Sequence, residues 1–248
     1  MSRVLDDVLH DYGIGSLGTH VVVMEGTTDR DYCEIAVEKV AKQLGCDLAE
    51  LPDGQGASAR IQWLVPKKGG GGGGGAGAGE VAKFGRELHP FFRANERPRA
   101  LMFLLDQDSA GHEAHKRLVD IGFDPEHHLH QHNEPGVGVS CLDKARSVLL
   151  EDLLSIELQR RYFESGKRTA RVDVRAGEPC RFEWFGRDKV GLREFVRANA
   201  SLDDLSALVS LIVDIRHLWG IGVPSAVSEW MNARLPREIE VPSATRSS

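Results

Sequence analysis

Leu101-Met102-Phe103-Leu104-Leu105-Asp106-Gln107-Asp108-Ser109-Ala110-Gly111 is an apolar run that stops abruptly at two acids and a turn. A run so short and so continuously apolar reads as a strand buried on both faces, the kind found inside a parallel sheet. Alternate side chains of an extended chain share a face, so Asp106 and Asp108 are expected to leave the strand end pointing the same way. A second run of this kind, Val21-Val22-Val23-Met24, lies about 80 residues earlier and also ends in acid, at Glu25-Gly26-Thr27-Thr28-Asp29. Neighbouring strands lie about 4.8 Å apart. If these two are neighbours, Glu25 converges on the aspartate pair. Asp29 would sit in the first turn of the next helix and reach the same cluster.

The flanking sequence completes strand–helix units. Cys33, Ala36, Val37, Val40 and Leu44 recur at helical spacing before Gly45, which predicts a helix with one buried face and a glycine stop. Thr27 or Thr28 is expected to cap it, with Asp31 three residues after Thr28 as in a capping box. Residues 61–65 read as another strand, and Val81, Phe84 and Leu88 as a helix that Pro90 interrupts. A helix over 112–121, closed by Gly122, leads to a last short strand at 128–132. This alternation predicts an α/β fold, a mainly parallel four-stranded sheet flanked by helices. From residue 142 the pattern turns helical, with helices beginning near Val148, near 192–196 and over 202–219, and a last one at Trp230 and Met231. The expected organisation is an amphipathic N-terminal helix within 1–17, the sheet domain over 18–140, a mostly helical region over 141–240 and a polar tail over 241–248. Within 69–79 stand seven consecutive glycines. That stretch reads as a flexible loop and lacks the Lys-Ser/Thr ending of a nucleotide-binding P-loop.

Several carboxylates within a few ångströms suppress one another's ionisation unless a counter-charge is present. A hard divalent cation with oxygen ligands supplies one, and Mg²⁺ held by carboxylates, water and substrate phosphate is the expected case. The plainer alternative is that each acid caps a helix or decorates a loop, because acids favour helix N-termini. Two such acidic segments at two strand ends favour the metal.

Apolar strand, Glu25-Gly26-x-x-Asp29, helix, then apolar strand, Asp106-x-Asp108-x-x-Gly111 resembles the Toprim domain, shared by type IA and type II topoisomerases, bacterial primases, small RNA-maturation nucleases and OLD-family nucleases. The resemblance spans roughly residues 18–135. It implies that Glu25 is the general acid/base and that Asp106 and Asp108 ligate Mg²⁺ (or Mn²⁺), with Asp29 assisting. A topoisomerase would need a strand-attacking tyrosine and gate domains, and a primase a zinc module. The segment from Glu25 to Tyr32, and the later acids in Ser147-Val148-Leu149-Leu150-Glu151-Asp152, look most like the OLD-type nuclease. That likeness implies that Glu151 supports a second ion and that Lys189 neutralises charge in the transition state. Arg187 is the alternative cation for that role. No Walker A motif is present, so a separate ATPase subunit is the partner this likeness suggests. The implied activity is a metal-dependent nuclease, acting on DNA rather than RNA, in defence against phage, with homo-oligomerisation left open. The competing expectations are a non-catalytic nucleic-acid-binding or regulatory subunit on the same shell and, more weakly, a receiver-like domain.

The 248 residues are 41 % hydrophobic and carry a formal net charge of −6. That excludes binding of nucleic acid by bulk charge alone but leaves room for a local basic face. Arg160, Arg161, Lys167, Arg168, Arg171 and Arg175 are the candidates for it. Trp184 and Phe185 are read either as subdomain packing or as a base-stacking platform. Trp219 and Trp230 are read as core of the helical part. His127, His128, His130 and His132 form a cluster read as an exposed strand or loop, with a transition-metal site or an approach to the acids as alternatives. Cys33, Cys46, Cys141 and Cys180 have no metal-like spacing and read as reduced thiols. The N-terminus lacks a signal-peptide pattern, and no stretch approaches the roughly 18 apolar residues of a membrane span. The expected location is cytoplasmic.

Overall fold

The computed structural model describes residues 3–52, 60–67, 77–94, 98–131, 148–175 and 177–234. The glycine run 69–75, His132, Cys141 and the tail 241–248 lie outside them, and Gly77–Gly79, expected as the end of a flexible loop, instead begin a helix. In chain order the elements are α1 (Arg3–Asp11), β1 (His20–Met24), α2 (Thr27–Leu44), β2 (Gln62–Leu64), α3 (Gly77–Arg93), β3 (Ala100–Leu105), α4 (Ser109–Ile121), the single turn α5 (Pro125–His128) and β4 (Leu129–Gln131). A 3-10 turn at Leu150–Leu153, α6 (Ile156–Glu164), β5 (Ala170–Arg175), β6 (Glu178–Trp184) and α7 (Gly186–Asn199) follow. A 3-10 turn at Asp203–Leu205, α8 (Ser206–Leu218) and α9 (Ser225–Asn232) end the described chain.

Strands β2, β1, β3 and β4 form an all-parallel sheet in that spatial order. The two acidic segments therefore follow adjacent strands. The register pairs Val23 with Phe103 and Met24 with Leu104, so β1 and β3 end side by side. From β1 the chain crosses to β2 on one flank, and from β2 it passes over to β3 on the other. The crevice between the carboxyl ends of β1 and β3 is thus the topological switch point, where open α/β sheets bind ligands.

The continuous apolar runs are explained by burial on both faces. Val22, Met24, Met102 and Leu104 pack with α2, α6 and α8. Val21, Val23, Leu101, Phe103 and Leu105 face the opposite way, against Leu5 and Leu9 of α1, Phe84 and Leu88 of α3 and Leu118 of α4. The region after residue 148 is helical but shares the first of these cores with the sheet rather than building its own. Gly85 lets α3 and α4 approach closely, since a Cβ there would stand 2.4 Å from Leu118 Cδ2.

Several expectations are corrected. Helix α2 is N-capped by Gly26 with no side-chain cap, and Asp31 instead pairs with Arg30 and Arg193. Helix α3 runs through Pro90 to Arg93. The proline sits in the final turn, where loss of one N–H ends little. The spacing of Val4, Leu5, Val8 and Leu9 places all four on one face of α1, but Val4 is exposed, and Leu5 and Leu9, with Tyr12 just past the helix, are the buried residues. The expected helix at Val148 is a bridge to Gln107 followed by the 3-10 turn. The hairpin β5–β6 was not foreseen. Cys33 and Cys46 are free thiols, but Cys180 is disulfide-bonded. Among the described residues no helix is long and apolar enough to cross a membrane.

Candidate active site

Glu25 leaves the end of β1 and turns toward β3. Its Oε1 accepts the backbone N–H of Asp106 at 2.9 Å, and its carboxylate also accepts from the backbone of Ala78 at the start of α3. Gly77 N donates to the Glu25 carbonyl at 2.9 Å, so the first turn of α3 is fastened over this strand end. The glycines of both acidic motifs have steric causes. The Asp29 carboxylate folds back to the Gly26 N–H, and a Cβ on Gly26 would stand 2.8 Å from Asp29 Oδ2. A Cβ on Gly111 would stand 1.9 Å from the Asp106 carbonyl oxygen, a clash with backbone that no rotamer relieves. Asp108 caps α4, its Oδ1 accepting from Gly111 N at 2.7 Å.

A fifth acid arrives from the second half of the chain. Gln107 and Val148 exchange backbone hydrogen bonds, 2.8 Å and 3.2 Å, which moors the segment leading to Glu151 at the loop between Asp106 and Asp108. Glu151 is buried, and Lys189 Nζ of α7 stands 2.7 Å from its Oε1. Glu151 Oε2 and the hydroxyl of the fully buried Tyr32 have no hydrogen-bond partner among the described residues. Tyr32 is a site residue that the sequence reading missed. Its position three residues after Asp29 places it on the same face of α2, and this was the available signal.

The electrostatics bind these groups into one cluster. Burial, then the charge of Glu151, pushes the Asp29 carboxyl up to about 7. Burial, then Asp29, Glu25 and Glu151, pushes Asp106 up to about 9. Glu25 is raised by burial and by Asp108, against the backbone N–H of Asp106 that favours its charge. Burial raises the Tyr32 hydroxyl well above its ordinary range, and Glu151 and Asp29 add to this. Burial alone would depress Lys189, yet Glu151, Asp29 and Asp106 outweigh it and hold its pKa above the usual lysine value. One ammonium therefore faces a set of acids that it does not fully neutralise.

Among the described residues no group of three or more His, Cys, Asp or Glu side chains is gathered into a metal-holding set. The donor chemistry nonetheless fits a hard divalent cation. The donors are carboxylate and hydroxyl oxygens, their ionisation is suppressed first by burial and then by one another's charge, and buried oxygens stand unpartnered.

The remaining candidates fall elsewhere. Arg187 is exposed, two residues from Lys189 and so roughly 200° around α7 from it. His127 pairs with Asp124. His130 is depressed by burial and feels Asp214 of α8, an acid outside the cluster. Arg160, Arg161, Arg168 and Arg171 lie beside Glu157 and Glu178, Asp204, Asp188, and Asp173 and Glu183, and Lys167 is exposed. Trp184 is buried against Phe182 and Tyr162, as the packing alternative expects, and Phe185 is exposed. Trp219 and Trp230 pack at the edge of the core.

Comparison with protein-family models finds no match, and comparisons with curated proteins and with solved structures find none either. The resemblance to the Toprim domain rests on the two acidic motifs and the order of the elements that carry them.

Proposed function

We propose that the chain is a Mg²⁺-dependent phosphodiesterase of the Toprim class that cleaves nucleic acid. The observation that supports this best is the meeting of Glu25, Asp29, Asp106 and Glu151 with Lys189 at the switch point of a parallel sheet, from segments far apart in sequence. Asp29, Asp106, Asp108 and Glu151 are the residues that would hold one or two ions. Bound there, such an ion polarises a phosphoryl oxygen and activates water. Glu25, held by the Asp106 and Ala78 N–H groups and raised in pKa, is suited to take and return a proton close to the reacting phosphate. Lys189 stays protonated and places a fixed positive charge where negative charge develops. Arg187 is better placed to meet a phosphate arriving from solvent than to act at the cluster. DNA as substrate, a separate ATPase subunit and a role against phage follow from the OLD-family resemblance.

The test is cleavage of plasmid and linear DNA, and of RNA, in Mg²⁺ or Mn²⁺. Asp106→Asn is expected to abolish cutting while keeping the fold, and undiminished cutting by that variant rules this site out.

A second reading is favoured by one observation. Lys189 already sits on Glu151, and the acids are not drawn into a cage among the described residues. This suits a non-catalytic subunit that keeps the shell and binds nucleic acid. Binding of Mn²⁺ and DNA without turnover on any substrate would select it.

A further inference from the structure

The hairpin β5–β6 carries no acid of the cluster, yet two of its side chains reach the turn that presents Glu151. Arg181 Nε and Nη2 donate to Asp152 Oδ1 and Oδ2, each at 2.8 Å, in a pair buried on both sides. Asp152 Oδ2 also accepts from Leu149 N at 2.9 Å, which closes the first end of the 3-10 turn. Trp184 Nε1 donates to Gln159 Oε1 at 2.8 Å. Gln159 Nε2 in turn donates to the carbonyls of Glu151 at 3.1 Å and Leu154 at 3.2 Å, which fixes the other end. Successive residues of a 3-10 helix are rotated by about 120°. Asp152 and Glu151 thus leave the turn in different directions, the first tied to β6, the second facing Lys189. Lys189 belongs to α7, which begins directly after β6.

We propose that Arg181 and Trp184 are positioning residues that, through Asp152 and Gln159, hold Glu151 against Lys189 and the acids of β1 and β3. The role in metal binding rests on the metal-dependent reading above, whereas the contact between Glu151 and Lys189 needs no metal. A buried ion pair adds little net stability over apolar side chains of the same volume. Its two-pronged geometry does fix direction, which packing alone does less sharply. Groups behind the ligands of a metal site commonly change affinity by about 10- to 100-fold.

The experiment uses the full chain in three forms: unaltered, Trp184→Phe, and the double substitution Arg181→Met with Asp152→Leu. Mn²⁺ binding is read by electron paramagnetic resonance, the Lys189 side chain by NMR of labelled lysine, and integrity by thermal melting. The expected result is near-native melting with Mn²⁺ affinity down about 10-fold or more and the Lys189 resonance moved toward that of a free lysine. Native Mn²⁺ affinity and an unmoved Lys189 resonance in folded Trp184→Phe overturn the proposal. If the unaltered chain itself binds no Mn²⁺, the metal-dependent reading fails, and the Lys189 resonance alone decides the positioning role: moved in the variants supports it, unmoved overturns it. Should the double variant fail to fold, Trp184→Phe decides, because it deletes the indole N–H and keeps a smaller aromatic ring at the buried position.

Discussion

Replacing Asp106 by asparagine should strengthen the fold while removing the activity. In the native state the Asp106 carboxyl is pushed up to about 9, first by burial and then by Asp29, Glu25 and Glu151. In the unfolded chain it has the ordinary aspartate value of about 4. The folded protein therefore holds a proton at this site that the unfolded chain gives up above about pH 4. Stability contributed by that proton is fully present below the unfolded value and is lost as pH rises toward the folded one. Near pH 7 the gap is about three pH units, or about 4 kcal/mol at 1.36 kcal/mol per unit. Asparagine is neutral at every pH and escapes this cost. An imperfectly placed amide gives back about 1–2 kcal/mol. The net expectation is a gain of about 2–3 kcal/mol near pH 7 without divalent cations, gone by about pH 5 and turned into a loss of about 1–2 kcal/mol by about pH 4. Urea unfolding across that range, with chelator present, measures it. A variant that is no more stable near neutral pH, or whose stability falls with rising pH as steeply as the native chain's, refutes the electrostatic account of the cluster.

Three further outcomes follow from particular contacts. Gly111→Ala lies inside a helix, where the change ordinarily stabilises by about 1 kcal/mol. The clash with the Asp106 carbonyl should reverse the sign to a loss of about 1–3 kcal/mol in chemical denaturation. Lys189→Met leaves buried Glu151 without its partner and should destabilise by about 2–4 kcal/mol. Added Ca²⁺ should recover part of that loss, and melting curves indifferent to Ca²⁺ would count against a cation-binding cluster. Arg216→Met, far from the site, removes donors to the carbonyls of Leu48 and Glu50 at 2.7 Å each and of Gly222. It should cost about 2–4 kcal/mol in unfolding assays while leaving cleavage by the surviving folded protein unchanged.

The parallel sheet was legible because a strand buried on both faces leaves an unmistakable trace. Val21–Met24 and Leu101–Leu105 have no polar residue to alternate with, and both stop at acids where the chain leaves the sheet. The convergence of Glu25 and Asp106 was legible for the same reason, given the neighbouring strands. The β5–β6 hairpin was not read, although Arg171-Val172-Asp173-Val174 alternates and Gly177 marks a turn with φ 87°. Its Arg171 drew attention as a possible phosphate ligand, and the sequence does not reveal that this side chain lies beside Asp173 and Glu183. Tyr32 and Arg181 were missed because their roles depend on contacts with residues far away in the chain.

The division into a sheet domain and a helical region is where local patterns mislead most. Composition changes near residue 141, and periodicity shifts from strands to helices there. Yet Met102 and Leu104 of β3 share one core with Leu158, Phe182, Leu192 and Ile212, and the acidic cluster takes Glu151 and Lys189 from the later segment. Four buried or half-buried acids at two strand ends are unfavourable by themselves, as the raised Asp29 and Asp106 show. The second half of the chain brings both a fifth acid, which worsens that repulsion, and the ammonium that partly offsets it. It brings them on a turn and a helix braced by one hairpin. Repulsion of this kind is retained only where surrounding packing over-determines the geometry, and the shared core supplies that constraint. The helical region is thus part of the site's construction, because the acids of β1 and β3 meet their opposing charge only through it.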